Sequence, residues 1–410
     1  MFPSMTFSGS DSCDSTKNFL AYLSGPKWQR VRRILNPTFT SGQIRRMFSA
    51  IDENSTRAIE VLLESTFDGR TQLELMSFVS KYVLNNNAQC CFAIDTNLYN
   101  SSNSNSKFYE YATTLTNLSI LRLIIVRYLP DPILRLLNIG ILQTASIDYF
   151  EHVIRHVLVE RRFSTKCTKA EDFIQLLVDA SDTVSNDESD DQPKSKMSLD
   201  EDEIVANAIG FLMAGYENTS IFITMILYEL ARNQTVQSQL RCHLTKLDKV
   251  DYESVTECEY LDAVTNETLR LHPSFIGFDR KAIDDYQITG TNIMVKKGMS
   301  VFFDIYSLHY DPNNFEHPEL FNPDRFLPKN RHLIKPYTFL PFGSGPRICI
   351  GQKFAVIQAK LLIARLLTKF SFHFTTRTDD PPKYELLTPM VKTGPIYLEV
   401  RKLGANHCLN

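Results

Sequence analysis

One long apolar stretch constrains the fold of this chain more than any other feature. Residues 204–228 form an almost uninterrupted apolar run whose single charged residue is Glu217. A helix that is apolar on every side is buried, either at the centre of a large folded protein or across a bilayer. Asn, Thr and Ser side chains lie around the carboxylate, and an ionisable group at mid-membrane is costly. The run therefore predicts a buried helix at the centre of a large soluble fold.

Composition supports a large folded protein and excludes several other classes. The chain has 410 residues, of which 43% are hydrophobic and 22% charged, as in ordinary globular proteins. The net charge of −3 offers no basic surface for nucleic acid. The eight cysteines form no CxxC motif and only one adjacent pair, Cys90-Cys91, so a reducing compartment is favoured over secretion. Residues 1–20 have neither a basic nor an apolar segment and do not predict a signal peptide.

The order of patterns along the chain predicts a mainly α fold with a small β region. Residues 275–305 alternate and contain turns, which predicts a β-hairpin region. The chain lacks the βα alternation of a parallel-sheet fold. Apolar residues at helical spacing predict helices at 28–35, 41–66, 71–92, 106–122, 145–162, 170–181, 204–228, 233–245, 259–271 and 351–369.

Two further segments lie between these helices. Residues 184–203 are acidic and rich in serine, which predicts a loop over 184–200 before the central helix. The loop ends in Ser198-Leu199-Asp200-Glu201, which predicts a capping box at the helix start. Residues 115–145 are apolar but interrupted by arginine and proline. They fit short helices that touch a membrane surface or a core with arginines that reach solvent, and the stretch alone favours the core.

The segment from Phe342 to Gly351 is the most informative for chemistry. Two glycines and a proline force a turn, and a lone cysteine, Cys349, follows just before an apolar helix. Backbone N–H groups at a helix N-terminus favour a thiolate, as a metal ligand or a nucleophile. The alternative is a buried structural cysteine, the usual fate of a free thiol. Residue types alone leave haem iron, a catalytic cysteine and an inert cysteine open, and a catalytic cysteine would need a paired histidine.

Five short segments, in order along the chain, resemble signatures of the cytochrome P450 superfamily. They are Trp28-Gln29-Arg30-Val31-Arg32 (WxxxR of the C helix), Ala214 to Thr219 (the oxygen-binding motif of the I helix), Glu267 to Arg270 (ExxR of the K helix), Pro323 to Phe326 (PERF) and Phe342 to Gly351 (FxxGxRxCxG, the haem-binding signature). The resemblance covers about Leu20 to Val400. The residues around these motifs are most similar to the microsomal animal clan that includes the family-three drug and steroid oxidases and thromboxane synthase. It implies a single P450 catalytic domain over residues 1–410.

The resemblance implies haem b, iron protoporphyrin IX, as the cofactor. The thiolate of Cys349 would be the axial ligand of the iron, and it would push electron density that favours O–O cleavage. The two haem propionates need cationic or hydrogen-bonding partners. By resemblance, the other cofactor-binding residues are Trp28, Arg32, Ala214, Gly215, Arg280, Phe342, Arg347 and Gly351.

Two further groups of residues receive roles from the resemblance. Glu267 and Arg270 lie three residues apart on one helix face, and with Arg325 they would form a buried ion-pair triad. This triad is structural, and it would lock the irregular segment 310–348 under the haem. The substrate-pocket positions of relatives correspond to Phe275, Ile276 and Phe278.

The distal chemistry falls on the central helix by the same resemblance, and here the chain departs from the family. Glu217 is the acid expected to relay protons. The next residue is usually a threonine that helps to protonate bound peroxide, whereas this chain has Asn218 followed by Thr219. Asparagine has no hydroxyl proton to relay, so Thr219 or a water takes over, or oxygen activation is inefficient. Relatives that isomerise peroxides often lack this alcohol, so a haem-thiolate isomerase of lipid endoperoxides is the alternative to the favoured monooxygenase.

The resemblance also predicts partners and a location. A monooxygenase of this clan oxidises an apolar xenobiotic, steroid or lipid with O₂ and electrons from NADPH-cytochrome P450 reductase, with cytochrome b5 as a further partner. The cations suited to an acidic reductase are Lys27, Arg30, Arg33 and Lys353, although a solvated helix face explains them equally well. The full-length protein is expected on the cytosolic face of the endoplasmic reticulum membrane.

Relatives begin with an anchor, helices A and B and part of sheet β1, before the C helix. The sequence is therefore expected to be an N-terminally truncated P450 that lacks those elements. A non-catalytic truncated protein, which binds haem poorly or not at all, is the third hypothesis.

Overall fold

The computed structural model describes residues 17–100, 106–116, 121, 124–125, 128–129, 133–134, 142–163, 172–182, 198–385 and 390–404. Most of the predicted loop 184–200 and most of residues 115–145 lie outside the described residues. The chain divides into two compact units. The first contains Met1–Met47, Asn87–Gly215 and Asp279–Phe303, and the second contains Phe48–Asn86, Tyr216–Phe278 and Asp304–Asn410.

The described residues are mainly helical, with short strands, as the sequence predicts. The α-helices are α1 (Gly25–Leu35), α2 (Ser41–Ser65), α3 (Leu75–Phe92), α4 (Lys107–Thr116), α5 (Thr144–Phe163), α6 (Phe173–Asp182), α7 (Glu201–Arg232), α8 (Gln234–Thr245), α9 (Tyr252–Glu257), α10 (Glu259–Leu271), α11 (Ile305–Tyr310) and α12 (Gln352–Leu367). The strands are β1 (Arg70–Glu74), β2 (Gly277–Lys281), β3 (Tyr286–Gln287), β4 (Met294–Val295), β5 (Ser300–Asp304), β6 (Phe370–Phe374), β7 (Tyr384–Glu385), β8 (Lys392–Thr393) and β9 (Tyr397–Lys402). Short 3₁₀ helices cover Asn36–Phe39, Pro323–Phe326, Arg331–Leu333 and Gly345–Arg347.

The core of the first unit is aromatic. Phe39 lies 5.5 Å from Phe173 and 5.0 Å from Phe211 between ring centroids, and the last two rings are 4.7 Å apart. These distances suit edge-to-face and tilted aromatic packing. The 3₁₀ helix Asn36–Phe39, helix α6 and the first third of α7 thus meet around one cluster. Strands β3 and β4 form the hairpin expected in residues 275–305.

The core of the second unit combines a small sheet with helices. Strand β9 pairs antiparallel with β1 on one side and with β6 on the other, with Leu73 opposite Leu398 and Phe372 opposite Val400. Gln237 of α8 donates to the carbonyl of Phe372 at 2.9 Å and accepts from its N–H at 3.1 Å. A buried side-chain amide therefore continues the hydrogen bonding of the sheet onto a helix.

Helix α7 is the long apolar helix that the sequence predicts. Among the described residues it is the one helix long and apolar enough to cross a bilayer, and 72% of its most apolar 18-residue window is buried within the protein. Such burial is typical of the central helix of a folded protein. The capping box is shifted from its predicted position. Asp200, not Ser198, is the cap, because its carboxylate accepts from Glu203 N–H at 2.7 Å while Glu203 accepts from Asp200 N–H at 3.3 Å.

Three other local features differ from the sequence prediction. Residues 71–74, predicted as helix, belong to strand β1 because they pair with β9 near the other end of the chain. Helices α9 and α11 have no counterpart among the predicted segments. Within residues 115–145 the described large apolar side chains divide. Leu115 (1% exposed), Leu134 (0%) and Leu142 (6%) are buried, as the core interpretation predicts, whereas four others are exposed. These are Leu121 (63% exposed), Ile124 (49%), Tyr128 (79%) and Ile133 (43%).

Candidate active site

A tight loop in the second unit presents Cys349. Gly343 and Gly345 have φ of +74° and +73°, values that disfavour any residue with a side chain. Gly343 N–H donates to Leu340 O, and Cys349 N–H donates back to Phe342 O, both at 3.0 Å. The 3₁₀ turn Gly345–Arg347 lies inside this loop. The backbone of the loop is therefore fixed by its own hydrogen bonds while the cysteine remains exposed.

The position of Cys349 differs from that of the other described cysteines. Gly351 is the N-cap of α12, so the thiol lies just before the N-terminus of a 16-residue helix, which favours a negative charge. Burial raises the pKa of the Cys90 and Cys91 thiols, which makes both poor thiolates. Cys242 is exposed but lies within α8. Cys258 is the N-cap of α10, but it is buried. Cys349 is the described cysteine that combines exposure, a glycine loop and a helix N-terminus, and this combination marks it as the suitable metal ligand.

Glu267, Arg270 and Arg325 lie together in the second unit. Arg270 binds Glu267 with two parallel hydrogen bonds of 2.8 Å, and both side chains are 0% exposed. Arg325 Nε donates to Glu267 at 3.3 Å, and the N–H of Asn322 donates to the same oxygen at 2.9 Å. Arg270 also donates to three backbone carbonyls of the irregular segment, those of His309, Pro318 and Leu320. The buried charges therefore hold backbone that has no regular ladder of its own.

His309 connects Arg270 to the segment that precedes the cysteine loop. It is 0% exposed, its Nε2 accepts from Leu340 N–H at 2.9 Å, and its Nδ1 lies 3.0 Å from Arg270 O. Since Nε2 is an acceptor, Nδ1 carries the proton and donates. Burial lowers the pKa of His309 from 6.5 to about 4, so the imidazole is neutral at neutral pH. Nothing in the sequence pattern marks this residue.

The cofactor-binding residues predicted in the first unit lie on three elements. Trp28 is 7% exposed and Arg32 follows it by four residues on the same face of α1. Arg280 on β2 is 6% exposed, and burial lowers its pKa below the ordinary value, so it is not a solvated surface charge. Ala214 is exposed on α7, although most of that helix is buried. Gly215 lies against Asn87, whose Nδ2 would be 3.0 Å from a Cβ at that position.

Glu217 lies in the second unit and is paired with a lysine. Its Oε1 is 2.6 Å from Nζ of Lys392, and the two side chains are 11% and 20% exposed. Asn218 is half-buried, whereas Thr219 is 3% exposed and lies on the buried side of the helix. Thr219, which was expected to replace the missing alcohol if a water does not, is thus less accessible than Asn218. Sequence reasoning missed Lys392 because strand β8 lies far from Glu217 along the chain.

The three residues proposed for the substrate pocket belong to different environments. Phe275 is 40% exposed and forms a β-bridge with Met390. The carbonyl of Ile276 accepts from Tyr306 N–H at 3.0 Å. Phe278 lies beside the cysteine loop, since a Cβ at Gly343 would be 3.6 Å from its ring. The structure therefore brings Phe278 to the loop that carries Cys349.

The residues present fit a haem. A porphyrin supplies four ligands to its iron, so the chain needs to supply one axial donor, and an exposed thiol on a rigid loop is such a donor. In the described part of the chain, no group of three or more His, Cys, Asp and Glu side chains could hold a bare metal ion.

The fold and this cysteine loop define a haem-thiolate protein. The sequence model of the cytochrome P450 family matches residues 6–400. The chain belongs to the cytochrome P450 family of haem-thiolate enzymes.

Similar proteins agree with the family-three resemblance. Cytochrome P450 3A29 of Sus scrofa is 33% identical over 378 residues, which cover 90% of this chain and 72% of the relative. Cytochrome P450 3A2 of Rattus norvegicus is 32% identical, with 91% of this chain and 73% of the relative covered. Cytochrome P450 9e2 of Blattella germanica is 30% identical, with 88% and 72% covered.

The four cations proposed for reductase docking differ in their exposure and in their partners. Arg30 is paired with the buried carboxylate of Glu203 and donates to Ser198 O at 2.6 Å. Lys27 lies 3.7 Å from the same carboxylate. Arg33 and Lys353 are exposed. Arg30 therefore has a structural partner within the first unit, and this weakens its case as a docking residue.

Proposed function

We propose that the protein inserts one atom of O₂ into an apolar small molecule, a xenobiotic, steroid or lipid, with electrons from NADPH. The balanced reaction is RH + O₂ + NADPH + H⁺ → ROH + H₂O + NADP⁺. The observation that carries the proposal is the rigid glycine loop that presents the exposed thiol of Cys349 before helix α12. When bound, haem supplies the chemistry of O₂ activation.

The chain's own residues would bind the cofactor and deliver protons. Cys349 would provide the thiolate ligand of the haem iron, and its loop would hold the sulfur in place. Trp28, Arg32, Arg280 and Arg347 are the proposed partners of the propionates. Glu217, paired with Lys392, would accept a proton from solvent and pass it toward the distal side.

Electron supply and location belong to the same proposal. NADPH-cytochrome P450 reductase, with cytochrome b5 as a second donor, would deliver electrons at the exposed cations Arg33 and Lys353. The exposed apolar side chains at the four described positions between residues 121 and 133 suit a membrane surface. We place the protein on the cytosolic face of the endoplasmic reticulum membrane.

The first test is the difference spectrum of the reduced, carbon-monoxide-bound protein. A strongly red-shifted Soret band is expected, because a thiolate is the axial ligand. Cys349→Ser should abolish it. The matched control is Cys242→Ser, which removes another exposed thiol and should leave the band unchanged. A wild-type chain without this band would refute the proposal.

An endoperoxide isomerase is the second candidate, favoured by Asn218 in place of the usual alcohol. Isomerisation uses the same haem but needs no electrons from NADPH. Turnover of a lipid endoperoxide in the absence of NADPH and reductase would support it. Oxygenation that depends strictly on NADPH would support the monooxygenase.

A further inference from the structure

The ion pair between Lys392 and Glu217 joins strand β8 to the central helix within the second unit. The 2.6 Å separation is a charge-assisted hydrogen bond, and both side chains are mostly buried. A buried ion pair contributes little net stability, because desolvation of both charges offsets their attraction. One partner of this pair, Glu217, is the acid proposed to relay protons, so the pair has a more specific role than stability.

The hairpin of β7 and β8 fixes the backbone around Lys392. Lys392 is paired with Glu385 and Thr393 with Tyr384 in antiparallel register. Gly394 N–H donates to Lys383 O at 3.0 Å, and Val391 N–H donates to Ser274 O at 2.9 Å. The lysine is therefore held on both sides by backbone hydrogen bonds.

A second contact ties the same hairpin to helix α7. Tyr384 OH lies 2.7 Å from His272 Nδ1, and His272 Nε2 lies 2.7 Å from Glu229 Oε1. Glu229 is 1% exposed and lies on α7, about 18 Å along the helix from Glu217 at 1.5 Å per residue. The hairpin is thus connected to helix α7 at two carboxylates. Tyr384 is connected to Glu229 through His272, and Lys392 binds Glu217 directly. This arrangement gives Lys392 little freedom to move away from Glu217.

We propose that Lys392 is a positioning residue that holds the Glu217 carboxylate in the correct orientation for proton delivery. The inference rests on the proposed monooxygenase function. Removal of the cation removes the charge-assisted hydrogen bond that fixes the carboxylate, so the side chain can turn away from this position. Lys392 acts on the reaction only through Glu217.

The test compares two ways of supplying the oxygen atom. Reaction with O₂ and NADPH consumes a proton from solvent, whereas RH + H₂O₂ → ROH + H₂O needs none because the peroxide brings both electrons and both protons. Lys392→Met should lower NADPH-driven turnover about tenfold to a hundredfold, while peroxide-driven turnover stays within about twofold. Lys392→Arg should restore most of the loss, because it keeps the cation.

Lys383→Met is the matched control. Lys383 lies on the same hairpin and forms an exposed pair with Asp379, with side chains 77% and 44% exposed. The Lys383→Met substitution removes the same charge but leaves the contact with Glu217 in place, so the rates of NADPH-driven and peroxide-driven turnover should both stay at the wild-type level. An unchanged carbon monoxide spectrum in Lys392→Met would show that the cysteine loop is intact.

A double-mutant cycle in thermal unfolding gives a readout independent of turnover. Glu217→Gln and Lys392→Met should each change the midpoint, and the double variant should differ from the sum, because the two residues contact each other.

Additive midpoints would overturn the proposal. So would a parallel loss of both kinds of turnover in Lys392→Met, which indicates a merely structural lysine, or no loss of either. Failure of the proposed function is recognised separately, from a wild-type chain without the thiolate spectrum.

Discussion

Acidification should weaken the second unit at one buried imidazole, that of His309. In its neutral form this ring satisfies Leu340 N–H with Nε2 and donates to Arg270 O from Nδ1. Protonation places a second N–H against the N–H of Leu340, so that hydrogen bond is lost and a charge is buried beside the Arg270 guanidinium. The contact between helix α10 and the segment before the cysteine loop should therefore fail first in acid.

The magnitude follows from the difference in pKa between the folded and unfolded chain. Burial lowers the pKa of His309 from 6.5 to about 4. Because the folded value is the lower one, the full contribution to stability is present above pH 6.5 and is lost as the pH falls toward 4. At 1.36 kcal/mol per pH unit the complete loss is about 3 kcal/mol, of which about 2 kcal/mol falls between pH 7 and pH 5.

The assay is the free energy of unfolding in denaturant at pH 7 and at pH 5, with haem retention followed in parallel. His309→Gln keeps an acceptor and a donor but cannot be protonated, so its loss on acidification should be smaller than the wild-type loss by about 2 kcal/mol. The control is His332→Gln, since His332 is exposed. Equal losses in wild type and His309→Gln would refute the reasoning.

Two further predictions concern packing and buried charge. Glu267→Ala leaves the fully buried Arg270 without its carboxylate, so it should lower the free energy of unfolding by about 3–5 kcal/mol and cause loss of haem. The control is Glu259→Ala, because Glu259 is exposed on the same helix, and it should lower the free energy of unfolding by less than about 1 kcal/mol. Equal effects of the two substitutions would contradict the structural role of Glu267. Gly210→Ala places a Cβ 1.9 Å from the ring of Phe19 and should cost about 1–3 kcal/mol, and Phe19→Leu in the same chain should relieve most of this loss. An unchanged melting temperature in the single Gly210→Ala variant would contradict the packing at that position.

Local patterns predicted most helices and the cysteine loop, because those depend on residues close in sequence. The glycines of the loop adopt positive φ, as a tight turn requires, and the apolar run 204–228 lies within the single helix α7. Contacts between distant segments were not predictable in this way. Strand β1 forms only because β9 pairs with it, so residues 71–74 carry a helical pattern but are extended. Hydrogen bonds to the other end of the chain determine the conformation of these residues.

The same limit applied to the candidate site. Motifs identified Cys349 and Glu217 by their neighbours in sequence, whereas Lys392 and His309 act on residues far away along the chain. A lone lysine in a short strand and a lone histidine in a short helix have no periodicity that distinguishes them from surface residues. Only the folded chain shows that one touches the predicted acid and the other supports the segment before the loop.

Buried charges in the second unit divide into two kinds according to what they contact. Glu267 and Arg270 direct their hydrogen bonds mainly to each other and to backbone groups, those of His309, Pro318, Leu320 and Asn322. Lys392 instead contacts a side chain that is proposed to carry protons. Since buried ion pairs add little net stability, the backbone-directed pair is expected to fix the backbone and the side-chain-directed pair to fix the orientation of one carboxylate. Loss of Glu267 should therefore appear as unfolding and haem loss at any pH, whereas loss of Lys392 should leave haem bound and, among the turnover reactions, slow only the one that consumes a proton from solvent.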